Sequence, residues 1–306
     1  MAVAPFLPRH IPMIVGTEDI LLRARAAGHD ATLLEPPVDT LANAPGIDSS
    51  RFRSSLAVDP DCLLIVVVGR ISKELKLEGL LSACDAISAL AARGVGVRLA
   101  VVGAGGASDL VAERARRANA LAGREVVTLV GSMADPRPAY AAADVLLGMG
   151  GSALRGMAFA KPLIVQGELG FWRLCTPETA ASFLKGGWYG LGDIEFPLTE
   201  AGHANSASRL ILELEPLIFD ARYREELGRF GRELVVGRFS LDRATAIQER
   251  VYEEAVKNKR GAHVLDAARS VSGAAIHTVR QRLLRKLNLG SSEDFNTVLA
   301  QKGRPR

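Results

Sequence analysis

Cysteine is scarce in this chain of 306 residues: Cys62, Cys84 and Cys175, with no C-x-x-C pair and no histidine at metal spacing nearby. Three separated thiols make neither a disulfide framework nor a zinc site, and they fit a reducing compartment. Long apolar runs are also missing. Stretches such as "CLLIVVV" fall far short of the roughly 20 residues that span a bilayer. The N-terminus lacks a charged segment followed by an apolar one, so no signal peptide is expected and the cytoplasm is the expected location. The five histidines (His10, His29, His203, His263, His277) are dispersed, and there is no G-x-S-x-G elbow and no Walker lysine loop. No nucleophile–base constellation follows, and no catalytic residue can be assigned.

What is present is apolar and regular. Hydrophobic residues make up 48% of the chain, enough for one large or two medium domains. The net charge of +4 is unevenly spread: from Lys257 to Arg306 there are eleven Lys and Arg against three Asp and Glu, which leaves the rest of the chain mildly acidic. A basic tail is most often a solvated surface. It also suits anionic lipid headgroups, whereas a nucleic-acid partner is not expected.

Three regions emerge. Residues 1–57 offer one strand–helix–strand piece ("IPMIVGT", "EDILLRARAAGH", "ATLLEPPVDT") and a linker with a short helix, too little to cover both faces of a parallel sheet. Residues 58–256 begin with "CLLIVVVGR", an unbroken β-branched run of the kind buried in a parallel sheet. Helix "EGLLSACDAISALAARG", strand "VRLAVVGAGG", helix "ASDLVAERARRANALAG", strand "EVVTLVGS", a short helix around Tyr140, strand "DVLLGM" and strand "PLIVQ" follow. Such alternation predicts an α/β, Rossmann-like doubly wound parallel sheet, which binds ligands at the carboxyl ends of its strands. Helices broken near Phe239 and Ser240 come next. Residues 257–306 form the basic, partly helical tail.

Candidate ligand residues cluster at strand ends. Arg70, Lys73 and Lys76 follow the first long strand, where cations can neutralise phosphate, Arg70 being the best restrained. The turn Gly103–Gly106 invites a dinucleotide reading but does not fit it. Ser108 stands where the third glycine is needed, and no ribose-binding acid ends the next strand. Close approach of that turn to another backbone or to a ligand remains open. In "MGGSALRGMAFAKP", Gly150 and Gly151 lead into a helix whose first amides suit an anion. With Ser152 as N-cap, Arg155 falls at the third helical position, where it either meets an anion or swings outward to solvent. Glu168, Phe171 and Trp172 follow the fifth strand and are either ligand-facing or a loop with buried aromatics.

The succession "VVGRISKELKLEGLLSA", "RLAVVGAGG", "VVTLVGSM", "AYAAADVLL", "RGMAFAKPLIV" resembles the nucleotide-sugar-binding C-terminal half of retaining GT-B-fold glycosyltransferases of family 4. The resemblance covers roughly residues 30–256. It implies a nucleoside-diphosphate sugar as substrate and sugar transfer with retention, with no cofactor and no metal. It assigns the donor diphosphate to Arg70, Lys76, Gly150, Gly151 and Ser152, the base to Ser132 and Met133, and the donor-sugar vicinity to Glu168 and Phe171. Two departures matter. Arg155 stands where the family's "EAMA" segment has its ribose-gripping glutamate, and the glutamate that precedes it by eight has no counterpart. Arginine cannot accept hydrogen bonds from ribose hydroxyls but holds phosphate bidentately, so Arg155 joins the diphosphate set. Only a remnant of the family's N-terminal domain is expected. That implies an enzyme incomplete on its own, completed by a homo- or hetero-oligomeric partner, or alternatively a non-catalytic nucleotide- or protein-binding module. The acceptor is not identified, and membrane contact through the tail is a further expectation.

Overall fold

The computed structural model describes residues 7–9, 11–193, 200–257 and 264–286. The chain divides into two units, one of Met1–Pro36 with Asp242–Arg306 and the other of Pro37–Leu241.

In the first unit, β1 (Met13–Val15) and β2 (Ala31–Leu33) pair in parallel around α1 (Glu18–Ala26). The Thr17 hydroxyl caps α1 by accepting from the Ile20 amide at 3.3 Å. At the other end, Arg25 donates to the Ala31 carbonyl from two nitrogens, at 3.0 and 3.2 Å.

The second unit holds a six-stranded sheet. Its elements are α2 (Ser50–Ser55), β3 (Leu63–Val68), α3 (Leu77–Ala92), β4 (Val97–Val102), α4 (Ser108–Ala122), β5 (Val127–Gly131) and α5 (Arg137–Ala142). These are followed by β6 (Val145–Gly148), α6 (Gly151–Ala158), β7 (Leu163–Gln166), β8 (Trp172–Leu174), α7 (Pro177–Gly186), α8 (Glu200–Phe219) and α9 (Ala221–Phe239). Helices α10 (Leu241–Lys257) and α11 (Val264–Lys286) follow in the chain and, from Asp242 on, belong to the first unit. The strand order is β5-β4-β3-β6-β7-β8, parallel throughout except for β8, which pairs antiparallel with β7.

Strand alternation sorts the core. On β3, Leu63, Ile65 and Val67 join one cluster with side chains of α3, α4 and α8, while Leu64 and Val66 face a second with side chains of α5, α6, α7 and α9. Period-2 alternation within an all-apolar strand therefore feeds two cores, as burial on both faces requires. Helix α9 comes close to the end of α6 because Gly228 and Gly231 lack side chains; a Cβ on Gly228 would stand 2.1 Å from the Ala160 carbonyl oxygen.

The five parallel strands match the sequence reading. The edge strand β8 and helix α7 do not appear in it.

Candidate functional site

Strand order reverses between β3 and β6: β4 and β5 extend the sheet on one side, β7 and β8 on the other. This is the switch point at which open α/β sheets form a ligand crevice. Val67 pairs with Leu147 one residue before the two strands end, so the loops carrying Arg70–Lys76 and Met149–Ser152 leave the sheet side by side.

The first loop is held from beneath by glycines. Gly69 donates to Val102 O at 2.9 Å and Ile71 to Ala104 O at 3.1 Å, while Ala107 donates to Ile71 O at 3.1 Å. A Cβ on Gly103 would lie 1.9 Å from Gly69 O, and one on Gly105 would lie 2.2 Å from Ile71 O. The Gly103–Gly106 turn is therefore a backbone seat for the Arg70 loop, which answers the question its sequence left open. Arg70 projects from that seat, exposed.

Lys76 is the N-cap residue of α3, and its Nζ hangs 3.8 Å from where a Cβ on Gly69 would stand. Burial without a compensating carboxylate lowers its ammonium to about 8. Behind it, the fully buried Gln166 donates from Nε2 to Lys76 O at 3.2 Å, and Gly79 leaves the space that side chain fills. Gln166 Oε1 has no partner among the described residues.

The second loop corrects one expectation. Gly150, not Ser152, is the N-cap of α6, so Arg155 lies in the last turn of an eight-residue helix and not at its third position. The glycine is needed there, since its φ of +53° with ψ of −132° starts the helix in a conformation that a Cβ disfavours. The Ser152 hydroxyl donates to Met149 O at 2.9 Å and accepts from the Met149 amide at 3.3 Å, closing the turn. The Gly150 amide donates to Trp188 O at 2.8 Å. This leaves the first-turn amides of Gly151 and Ser152 as the unpaired donors of α6 among the described residues. Arg155 is exposed, close enough to the buried Tyr140 for its charge to oppose the rise that burial imposes on that phenol.

Cations stand at both ends of the sheet. At the amino end, Arg53 pairs with Asp144 at 3.1 Å and Arg98 with Glu125 at 2.7 Å, while Lys161 and Arg124 make no ion pair among the described residues. At the carboxyl end, Arg70 and Lys76 have no carboxylate partner among the described residues, and neither has Arg155 in the last turn of α6.

A third loop borders the same edge. The Glu78 carboxylate, in the first turn of α3, accepts from the Leu169 and Gly170 amides at 2.9 and 2.5 Å. Burial raises its pKa against the pull of those amides, and the neighbouring Glu168 adds to the rise. Glu168 in turn accepts from the Tyr189 hydroxyl. Its amide donates to Gly190 O at 3.1 Å. Phe171 packs its ring over Gly190, where a Cβ would come within 2.3 Å of it. Trp172 is buried in β8, its Nε1 donating to Ser206 Oγ at 3.1 Å. The aromatics of this segment thus build the turn, while Glu168 stays partly exposed at its rim. Sequence reasoning overlooked Glu78, which passes for an acidic residue complementing a helix dipole.

Ser132 and Met133 follow β5, two strands from the switch point. Ser132 is exposed and Met133 packs on the second core cluster. A hollow of about 240 Å³ adjoins the third loop at Gly170 and Phe171 and runs between β8 and α8 beside Arg173, Arg209 and Glu213. Its charges are paired, Arg209 with Asp193 at 2.6 Å and Arg173 with Glu213 at 3.7 Å. No group of three or more His, Cys, Asp or Glu that could hold a metal ion occurs among the described residues.

Residues 63–179 match the model of the family described as glycosyl transferases group 1. The fold matches that of GT-B glycosyltransferases among solved structures. The Anabaena protein Alr3699/HepE, solved with UDP and glucose, aligns at 17% identity and a TM-score of 0.57, over 79% of this chain and 62% of that one. A glycosyltransferase from Rickettsia africae gives 15%, 0.58, 82% and 65%. Sucrose-phosphate synthase of Thermosynechococcus elongatus gives 19%, 0.56, 80% and 58%. This chain thus spans less than two thirds of the length of each, and at these identities the likeness is one of fold. No curated protein matches by sequence.

Proposed function

We propose that the crevice between β3 and β6 binds the diphosphate of a nucleoside-diphosphate sugar, and that the protein serves retaining transfer of that sugar to an acceptor. The observation that carries this reading is a convergence of donors. Arg70 and Lys76, without a carboxylate partner among the described residues, and the Gly151 and Ser152 amides border the sheet edge where such folds take ligands. Arg155 would reach the same anion from the last turn of α6. The match of residues 63–179 to a glycosyl transferase family, and a structural neighbour solved with UDP and glucose, support the same substrate class. These cations and the Gly151 and Ser152 amides would stabilise charge accumulating on the departing diphosphate, the usual electrostatic contribution to transfer of this kind. Ser132 and Met133 would meet the base, and Glu168, steadied by Tyr189, would lie toward the sugar.

Calorimetric titration with UDP, GDP and ADP tests the donor site. At least one is expected to bind below millimolar concentration, and no binding of any at millimolar concentration overturns the reading. Arg155, in the place of a ribose-gripping glutamate, favours a second reading: a nucleotide- or protein-binding module without transfer activity. Nucleotide binding with no turnover of the matching nucleotide sugar, in the presence of sugar and lipid acceptors, would select it.

A further inference from the structure

Helix α11 carries an apolar face that nothing described covers. Val271, Ile276, Val279 and Leu283 are 55–71% exposed. At about 100° per residue these four and Ala275 fall within an arc of about 140°. The hydroxyls of Ser272 and Thr278 donate back to Ala268 O and Ala274 O, each at 2.8 Å, so neither needs water along the helix. Arg269 borders the arc beyond Ile276, whereas Arg282 falls inside it, between Val271 and Ala275 in angle, and both are exposed. The stretch from Lys257 to Arg306 has eleven Lys and Arg against three Asp and Glu.

We propose that α11 lies on an anionic lipid surface, its Val271–Leu283 stripe entering the headgroup boundary while its arginines meet lipid phosphates and carboxylates. A thin stripe of branched aliphatic residues beside arginines fits an interfacial helix, and charge of this sign complements the anionic leaflet. A second copy of the helix fits less well. The heptad seam that takes in Ile276, Val279 and Leu283 begins at Arg269 and Ser272 and ends at Lys286, polar positions that a coiled coil would have to bury. Nucleic acid gives the aliphatic stripe no partner, and Lys257–Arg306 contains a single aromatic residue, Phe295, for stacking on bases. Attachment is electrostatic first, with each basic residue near the surface adding about 1 kcal/mol, so it is salt-sensitive.

The test sediments the full chain with vesicles of phosphatidylcholine alone or with about 30% phosphatidylserine, at low and high salt. Binding is expected only to the phosphatidylserine vesicles and only at low salt. The double variants Ile276→Glu/Val279→Glu and Arg269→Glu/Arg282→Glu should each weaken it at least tenfold. Unchanged melting temperatures would show that the exposed substitutions leave the fold intact. Absence of binding to phosphatidylserine vesicles at low salt overturns the proposal, as does binding that survives both double variants. Retention on a DNA duplex without vesicle binding would assign the face to nucleic acid, and a dimer that the glutamates dissolve, again without vesicle binding, would assign it to a second copy.

Discussion

The amide of Gly150 donates to the carbonyl oxygen of Trp188 at 2.8 Å, so the turn that opens α6 is anchored by a residue 38 positions along the chain. Trp188 holds a left-handed φ of +63° while its ring stacks on Phe183 at 5.7 Å and meets Phe239 edge-on at 6.0 Å. The aromatic core thereby fixes the residue that anchors the turn opening α6. Its Nε1 has no partner among the described residues.

That arrangement separates packing from polarity. Trp188→Ala should cost about 3–5 kcal/mol by emptying the core. Nucleotide affinity should fall with it, because the Gly150 turn loses its support. Trp188→Phe removes an unsatisfied donor while keeping the ring contacts, and should cost no more than about 2 kcal/mol. Urea melts and UDP titrations of both variants check the pair; equal losses would show that Nε1 matters more than the ring.

The glycines beneath Arg70 give a second prediction. A Cβ on Gly105 would meet the Ile71 carbonyl at 2.2 Å, and backbone cannot rotate away as a side chain does. Gly105→Ala should destabilise by roughly 1–3 kcal/mol and lower nucleotide affinity by displacing the loop. The neighbouring Gly106 faces open space at an ordinary φ, so Gly106→Ala should be neutral or stabilising by about 0.4–1 kcal/mol. Thermal melts and titrations of the two variants distinguish a local clash from general intolerance.

Much of this was legible in advance. The run Leu63–Val68 announced a doubly buried strand, and Arg70 and Gly150 stand at the strand ends where pattern placed them. The cap of α6 was misassigned because serine is the better N-cap by side-chain chemistry. Here the turn needs the backbone freedom of Gly150, and Ser152 spends its hydroxyl on Met149. Strand β8 was hidden because three residues carry too little periodicity, and Trp172 and Leu174 are buried by partners distant in sequence. The Glu78 contact with Leu169 and Gly170 spans about ninety residues, and no local signal marks it.

Lys76 makes the site pH-dependent. Its folded-state pKa of about 8 lies below the ordinary lysine value of 10.5, so between those values the unfolded chain holds the extra proton. This lysine's contribution to stability therefore rises as pH climbs from about 8 to 10 in the empty protein. A diphosphate against Nζ favours the charged form, so nucleotide binding should take up a proton near pH 8–9 and weaken between about pH 7 and 9.5. Calorimetry in two buffers of different ionisation heat measures the uptake, which Lys76→Met should abolish. Uptake that persists in the variant would locate the titrating group elsewhere.

On the proposed reading, Arg155 decides which part of a nucleotide the α6 turn would hold. Its guanidinium donates to acceptors and cannot accept, so its gain must come from phosphate and not from ribose hydroxyls. Arg155→Ala should then weaken UDP at least tenfold, on the order of the 1.5–3 kcal/mol of a charge-assisted hydrogen bond, and leave uridine binding unchanged. Arg70→Ala should show the same selectivity, and the loss in the double variant should differ from the sum of the single losses only if both cations grip one phosphoryl group. Because Arg155 is exposed, its removal should leave the melting temperature in place, which keeps an affinity loss from being read as unfolding. Equal affinity of wild type and Arg155→Ala for UDP would mean that the arginine points to solvent. The phosphate site would then consist of Arg70, Lys76 and the Gly151 and Ser152 amides alone.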